Sequence, residues 1–243
     1  MTYCVGMRLD RGLLFMADTR TNAGVDNISN VKKLHSWAVP GDRAITLMTA
    51  GNLATTQAVV SLLEERAKAP QDRSPSILEA PSMFQIARLV GATLREVIEN
   101  AAPTGQSADA FSATIILGGQ INGSDPRLFL IYPEGNFIEA SDDNPFFQIG
   151  ETKYGKPILV RAYDPAMGFE AAVKLLMVSF DSTIKSNLSV GLPLDYLAYE
   201  TGSFSATHTG RVEADDPYFD AISKGWGDAL RQAFDQLPEF TFV

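Results

Sequence analysis

The chain has 243 residues, with 29 acidic and 20 basic side chains and a net charge of −9. That acidic balance argues against nucleic-acid phosphates and anionic membrane surfaces as partners, since both need clustered Lys and Arg, while a hydrophobic fraction of 45% is too high for a disordered chain. A single Cys excludes an internal disulfide, a four-Cys zinc site and an iron–sulfur cluster, and two His exclude a three-His metal centre.

The opening Met1-Thr2-Tyr3-Cys4-Val5-Gly6-Met7-Arg8 has no basic stretch followed by an apolar core, and no run of about 18 apolar residues occurs, so a cytoplasmic protein is expected. Thr2 to Leu9 and Leu13 to Ala17 flank Asp10-Arg11-Gly12 and predict a β-hairpin. Asp18 to Gly24 is small and polar and reads as loop. Lys33 to Val39 and Ala44 to Ala50 flank Pro40-Gly41-Asp42 and predict a second hairpin. After Gly51-Asn52, the spacing of Val59, Leu62, Leu63 and Ala67 predicts a helix over 53–68. A loop spans 70–81, and a second helix runs from Phe84 to near Asn100. Strands are predicted over 112–117, 127–131, 137–139 and 146–149, punctuated by Gly118-Gly119 and Pro133-Glu134-Gly135. A helix over 167–184, a hairpin of 194–199 with 203–212, and a terminal helix over 218–234 complete the chain. Strands and helices come in blocks, which favours antiparallel sheets faced by helices over a doubly wound parallel sheet. With no Gly/Ser linker and no repeat, one domain over 1–243 is expected, with a C-terminal helix and tail from about 213.

The common catalytic templates are missing: there is no G-x-S-x-G elbow, no P-loop and no G-x-G-x-x-G. His35 and His208 each fall on a predicted strand, where a lone His is more often structural. Thr2 offers different chemistry. Removal of Met1 would leave Thr2 with a hydroxyl and a free α-amine of pKa near ~7.7–8, so the amine could take the hydroxyl proton. The alternative is that Thr2 is an ordinary strand residue. Such a nucleophile needs a nearby cation, and the cation needs a carboxylate. Asp18 at the end of the second strand and Lys33 at the start of the third could supply both; equally, they could form a solvated surface pair.

These residues resemble a known family. Thr2, Asp18-Thr19-Arg20 and Asn30-Val31-Lys32-Lys33-Leu34 are similar to the proteasome β-subunit and bacterial HslV peptidase pattern of N-terminal Thr, D-x-R and a K-K-[LV] strand. Thr49-Ala50-Gly51-Asn52-Leu53-Ala54 resembles that family's strand-to-helix turn. Thr114 to Gly119 with Leu128 to Gly135 resembles its central hairpin, and Ile149-Gly150 ahead of a helix fits the next landmark. The ordered set runs from Thr2 to about Gly191. Within the family, Thr2 to Gly6, Asp18 to Asn27 and the extended tail look most like the bacterial ancestral β-subunit (Anbu) group.

The resemblance implies an α+β fold of the N-terminal-nucleophile hydrolase type: a four-layer αββα sandwich of two antiparallel sheets. It implies a self-compartmentalising threonine peptidase with Thr2 as nucleophile and base, Lys33 lowering its pKa, Asp18 holding Lys33 and the Gly51 N–H as oxyanion donor. Ser189 would support the amine, and Asn22, Thr49 and Leu53 would wall the substrate pocket. For Gly51 and Ser189 the residues alone also fit a plain turn and a plain polar loop. The sequence departs from the family pattern in three places: Lys33 lies 31 positions after Thr2, one fewer than the family pattern, Ser186 stands where an acid is expected, and Glu151 stands in place of a serine. No cofactor or metal is implied. The expected partners are further copies of the chain and a peptide or unfolded-protein substrate, with any unfoldase left open. A non-catalytic ring subunit of the same fold, or an amidase acting on a small amide, are the alternatives.

Overall fold

The computed structural model describes residues 2–22, 28–68, 76–101 and 108–242, and for Asn22, Ile28 and Ala108 the backbone only. In chain order the strands and helices are β1 (Tyr3–Leu9), β2 (Gly12–Asp18), β3 (Arg20–Asn22), β4 (Ile28–Asn30), β5 (Leu34–Val39), β6 (Arg43–Gly51), α1 (Leu53–Lys68) and α2 (Met83–Ala101). Then follow β7 (Ala113–Ile121), β8 (Arg127–Ile131), β9 (Phe137–Glu139), β10 (Phe146–Gly150), α3 (Lys156–Ala162), α4 (Phe169–Ser186), β11 (Leu194–Glu200), β12 (His208–Val212) and α5 (Pro217–Asp235).

Two five-stranded antiparallel sheets form, ordered β10-β1-β2-β11-β12 and β5-β6-β7-β8-β9, beside a small β3-β4 ribbon. The two-residue alternation of the strands sorts their side chains into three apolar layers. On β1 and β2, Tyr3, Val5, Met7, Leu14 and Met16 face α3, α4 and α5, where they meet Leu159, Leu176, Phe180 and Phe219. Cys4, Leu13, Phe15 and Ala17 point the other way and meet Met48, Ala50, Ile116 and Leu128 of the second sheet. Ile45 and Leu47 of β6, with Ile115 and Leu117 of β7, pack on Val59, Leu63, Val90 and Leu94 of α1 and α2. The result is the αββα stacking expected from the sequence.

Several element bounds differ from those expected. Gly118-Gly119 does not end its strand: β7 is paired on both edges, by β6 and β8, so the ladder carries the glycines through. Part of the loop expected over 18–24 is instead strand, since Arg20–Asn22 pairs with Ile28–Asn30. Positions 23–27 and 69–75 lie outside the described residues. The block after Gly150 holds two helices, because Pro157 in the first turn starts a short α3 ahead of α4. The last hairpin is shorter, with β12 beginning only at His208. Among the described residues, no helix is long and apolar enough to cross a membrane.

Candidate active site

Thr2 enters β1 with its backbone fixed on both sides. Its carbonyl accepts from the Glu151 N–H at 2.6 Å, and the next N–H, of Tyr3, donates to Asp18 Oδ1 at 2.9 Å. The hairpin register makes this possible: β1 and β2 pair Cys4 with Ala17, so the next position outward sets Tyr3 beside Asp18. Gly150 closes the other side. Its φ is +81°, and an added Cβ would lie 1.9 Å from the Thr2 carbonyl oxygen, so only glycine lets β10 lie this close. Thr2 itself is 9% exposed.

Asp18 and Lys33 form an ion pair of 2.7 Å between Nζ and Oδ1, with side chains 0% and 6% exposed. Lys33 Nζ also donates to the Arg20 carbonyl at 2.6 Å. This is a buried pair rather than a solvated surface bridge. Burial pushes the Asp18 carboxyl up from its ordinary 3.8, against the pull of the Lys33 ammonium and the N–H groups of Tyr3 and Gly191. Oδ2 makes no hydrogen bond of good geometry, although the Gly191 N–H is close enough to favour the charged form. Beside the pair, the Cys4 thiol is fully buried, and desolvation pushes it up, which makes it an inert core group rather than a second nucleophile.

Lys33 and Thr49 meet across β5 and β6, where the Thr49 N–H donates to the Lys33 carbonyl at 3.1 Å. Two residues on, Gly51 ends β6 at φ +118°. An added Cβ there would lie 2.5 Å from the Ser112 carbonyl oxygen and 2.7 Å from the Ala113 Cα, so the turn into α1 admits only glycine. Asn52 then starts α1 by accepting from the Thr55 N–H at 3.1 Å. Thr2, Lys33, Thr49, Gly51 and Leu53 line one cleft of about 960 Å³. Five of the positions singled out from sequence thus meet in a single concavity, with Asp18 directly beneath Lys33. Asn22 lies on β3, but its side chain is outside the described residues; Thr21 of the same strand lines the cleft.

Ser189 is half-buried between α4 and β11 and does not line the cleft. Its N–H donates to Asn187 Oδ1 at 3.0 Å, and Asn187 Nδ2 donates to Glu151 Oε2 at 3.0 Å. Glu151 therefore ties the Thr2 carbonyl to the 187–191 segment, a link that the sequence shows only as a departure from the family pattern. His35, which its strand position alone marks as structural, also lines the cleft. Desolvation, then the charge of Lys32, holds its imidazole below the ordinary 6.5. Strand position gives no sign of this, because the cleft wall opposite is supplied by α1, distant in sequence.

Two helix-covered antiparallel sheets, with a hydroxyl-bearing residue at the entry of one, a buried carboxylate–ammonium pair beneath it and a glycine turn facing it, make up a fold of the N-terminal-nucleophile type. The family described as Proteasome subunit matches residues 2–191, and the chain belongs to that family. Among solved structures it is similar to Anbu, the ancestral β-subunit, from Yersinia bercovieri, with 48% identity, 100% of both chains covered and a TM-score of 0.92. It is likewise similar to a Gly-1 mutant of Anbu from Hyphomicrobium sp. strain MC1, at 52% identity, 100% of both chains and a TM-score of 0.92. The Anbu complex from Pseudomonas aeruginosa, solved as a helical assembly, matches at 44% identity, covering 99% of this chain and 98% of that one, with a TM-score of 0.91. No curated protein matches the chain.

Proposed function

We propose that this proteasome-type subunit is a threonine peptidase whose nucleophile is Thr2 after removal of Met1. The observation that carries this reading is the buried Asp18–Lys33 pair at 2.7 Å, directly beside the Thr2–Tyr3 backbone. Desolvating an ion pair costs several kcal/mol, and apolar replacements are often as stable, so such a pair is better explained by chemistry than by stability. In the proposed reaction the α-amine takes the Thr2 hydroxyl proton while Oγ1 attacks the scissile carbonyl. The Lys33 ammonium favours the developing alkoxide, and the Gly51 N–H receives the oxyanion. The protonated amine then gives its proton to the leaving amine, an acyl ester remains on Thr2, and water cleaves it after passing a proton to the same amine. Asp18 keeps Lys33 charged and aimed. Thr49 and Leu53 contact the substrate side chain, and Glu151 with Ser189 holds the segment beside the N-terminus.

The subunit would act as a homo-oligomer, in keeping with the helical assembly of the Pseudomonas aeruginosa Anbu complex. A peptide or unfolded polypeptide is the substrate class that a cleft of this volume between a strand edge and a helix suits. The test joins intact mass with a peptide epoxyketone, whose ring-closed adduct requires both a free α-amine and the neighbouring hydroxyl. We expect a mass lacking Met1 and one adduct per chain, absent in Thr2→Ala. Retention of Met1, or equal labelling of Thr2→Ala, would overturn the peptidase reading.

A further inference from the structure

Thr2 and Glu151 stand opposite one another across the β1–β10 pairing. The register sets Tyr3 against Gly150, so the next position outward sets Thr2 against Glu151, and the Thr2 carbonyl accepts from the Glu151 N–H at 2.6 Å. In an antiparallel pair the N–H and the C=O of one residue point to the same neighbouring strand, and successive residues alternate. The Tyr3 N–H points the other way, to Asp18 on β2, as that alternation requires. The nitrogen of Thr2 therefore faces Glu151, across the roughly 4.8 Å that separates paired strands.

We infer that the Glu151 carboxylate is the counter-ion of the Thr2 α-ammonium, and so sets the pH at which the amine becomes a base. The inference rests on the reading of Thr2 as the residue that carries the free amine. Glu151 is half-buried, and its carboxylate is held from two sides: Oε1 accepts from the Lys153 N–H and Oε2 from Asn187 Nδ2, each at 3.0 Å. Both donors are neutral amides. Among the described residues no Lys or Arg forms an ion pair with Glu151. An ionised carboxylate offers about four lone-pair sites, and these two bonds leave the rest for an ammonium. A half-buried carboxylate with neutral partners alone is short of one positive charge, and an N-terminal amine opposite it supplies that charge.

The other groups around Thr2 do not take its place. Lys33 repels an ammonium, but Asp18 neutralises it at 2.7 Å. The Tyr3 phenol, pushed up to about 12 by burial, and the Cys4 thiol, also pushed up by burial, both stay uncharged. On the cleft wall Thr49 and Gly51 carry no charge, and Lys32 is exposed, so water and salt screen it. Further along the cleft, desolvation disfavours charge on the His35 imidazole, which attracts Glu64. Behind the 187–191 segment Arg20 lies against Gly191 and donates to the Leu188 carbonyl at 3.1 Å. Glu151 is thus the unneutralised charge on the amine's own side. A carboxylate beside an ammonium favours the charged form, so the amine is held above its ordinary range of about 7.7–8. A rise of about one pH unit makes the free base about tenfold scarcer at neutral pH. The nucleophile is then largely at rest at neutral pH and gains activity as the pH rises.

The test uses the full chain with a free Thr2, released from an N-terminal fusion, so that its outcome does not depend on how Met1 is removed. Competitive acetylation with acetic anhydride across the neutral and alkaline range, read from the mass of the N-terminal peptide, titrates the amine without any substrate. We expect a midpoint above the ordinary range in the parent, a midpoint about one pH unit lower in Glu151→Gln, and most of the parent value in Glu151→Asp, which keeps the charge. Added salt should narrow the gap between the parent and Glu151→Gln. Labelling by a peptide epoxyketone should rise along the same curves. A parent midpoint within the ordinary range, or equal midpoints in the parent and Glu151→Gln, overturns the inference. A lower urea midpoint in Glu151→Gln with the amine unmoved assigns the carboxylate to structure alone and overturns it too. Should Glu151→Gln fail to fold, the parent decides: a midpoint that falls towards the ordinary range with salt upholds the ion pair, and one that does not ends it. If the amine titrates as expected and no peptide labels Thr2, the peptidase reading has failed and the counter-ion assignment stands.

Discussion

Asp18 has a fully buried side chain on which two donors converge, the Lys33 ammonium at 2.7 Å and the Tyr3 N–H at 2.9 Å. Replacing Asp18 by Asn would leave the Lys33 ammonium, 6% exposed, without a carboxylate. We expect Asp18→Asn to lower unfolding stability by about 3–5 kcal/mol, and the double variant Asp18→Asn/Lys33→Met to regain most of that, because removing both charges removes the desolvation cost with them. Urea unfolding of the two variants measures it; a cost under ~1 kcal/mol in the single variant would mean that the pair behaves as a surface bridge. The identity of both residues was legible in the sequence. Their burial was not, because it comes from the 187–193 segment, where the Pro193 carbonyl accepts from the Thr19 N–H at 3.0 Å and the Gly191 N–H faces the carboxylate. Nothing local to Asp18 encodes that cover.

At the level of the element, β1 is held in register by β2 on one side and by β10 on the other, and Thr2 stands where the two pairings converge. Gly150 is the point of closest approach. An alanine there meets the Thr2 carbonyl oxygen at 1.9 Å in a left-handed backbone conformation of φ +81°. We expect Gly150→Ala to destabilise by at least about 2 kcal/mol and to displace Thr2 from the Asp18–Lys33 pair, read as loss of epoxyketone labelling together with a lower urea midpoint. Stability within about 0.5 kcal/mol of the parent would show that β10 can move away without penalty. Hairpin turns such as Asp10-Arg11-Gly12 and Pro40-Gly41-Asp42 were readable because the turn chemistry is local. The β1–β10 pairing joins residues far apart in the chain, from Met7 with Phe146 to Tyr3 with Gly150, and no local pattern announces it. For the same reason the sequence places His35 correctly on a strand yet does not reveal the cleft: β5 supplies the residue, and α1 supplies the wall that makes it a cleft residue.

Across the whole molecule the last helix stands apart from the layered core. Phe219 is buried against α4, Lys185 reaches Ser223 at 2.9 Å and Trp226 is half-buried, but from Leu230 onward the apolar positions are uncovered. Leu230, Phe234, Leu237, Phe240 and Phe242 are 51–89% exposed. A row of this kind on a chain of net charge −9 is unusual for a lone monomer and fits burial against further copies of the chain. We expect deletion of residues 237–243 to leave the unfolding stability of the dilute protein within about 0.5 kcal/mol of the parent and to weaken self-association, seen by sedimentation velocity as a shift to smaller species. Unchanged assembly would assign the tail to its own subunit. The sequence by itself determined the main hairpins and the long helices in their chain order, though not the β3–β4 ribbon or α3, and the residue types of the site, because each depends on local turn chemistry, on apolar runs and on helical periodicity. The tertiary structure alone decided that Asp18 and Lys33 are buried and that Glu151 reaches the 187–191 segment. Those features arise where two sheets and a helix distant in sequence are pressed together, and the close packing that joins them has no periodicity along the chain.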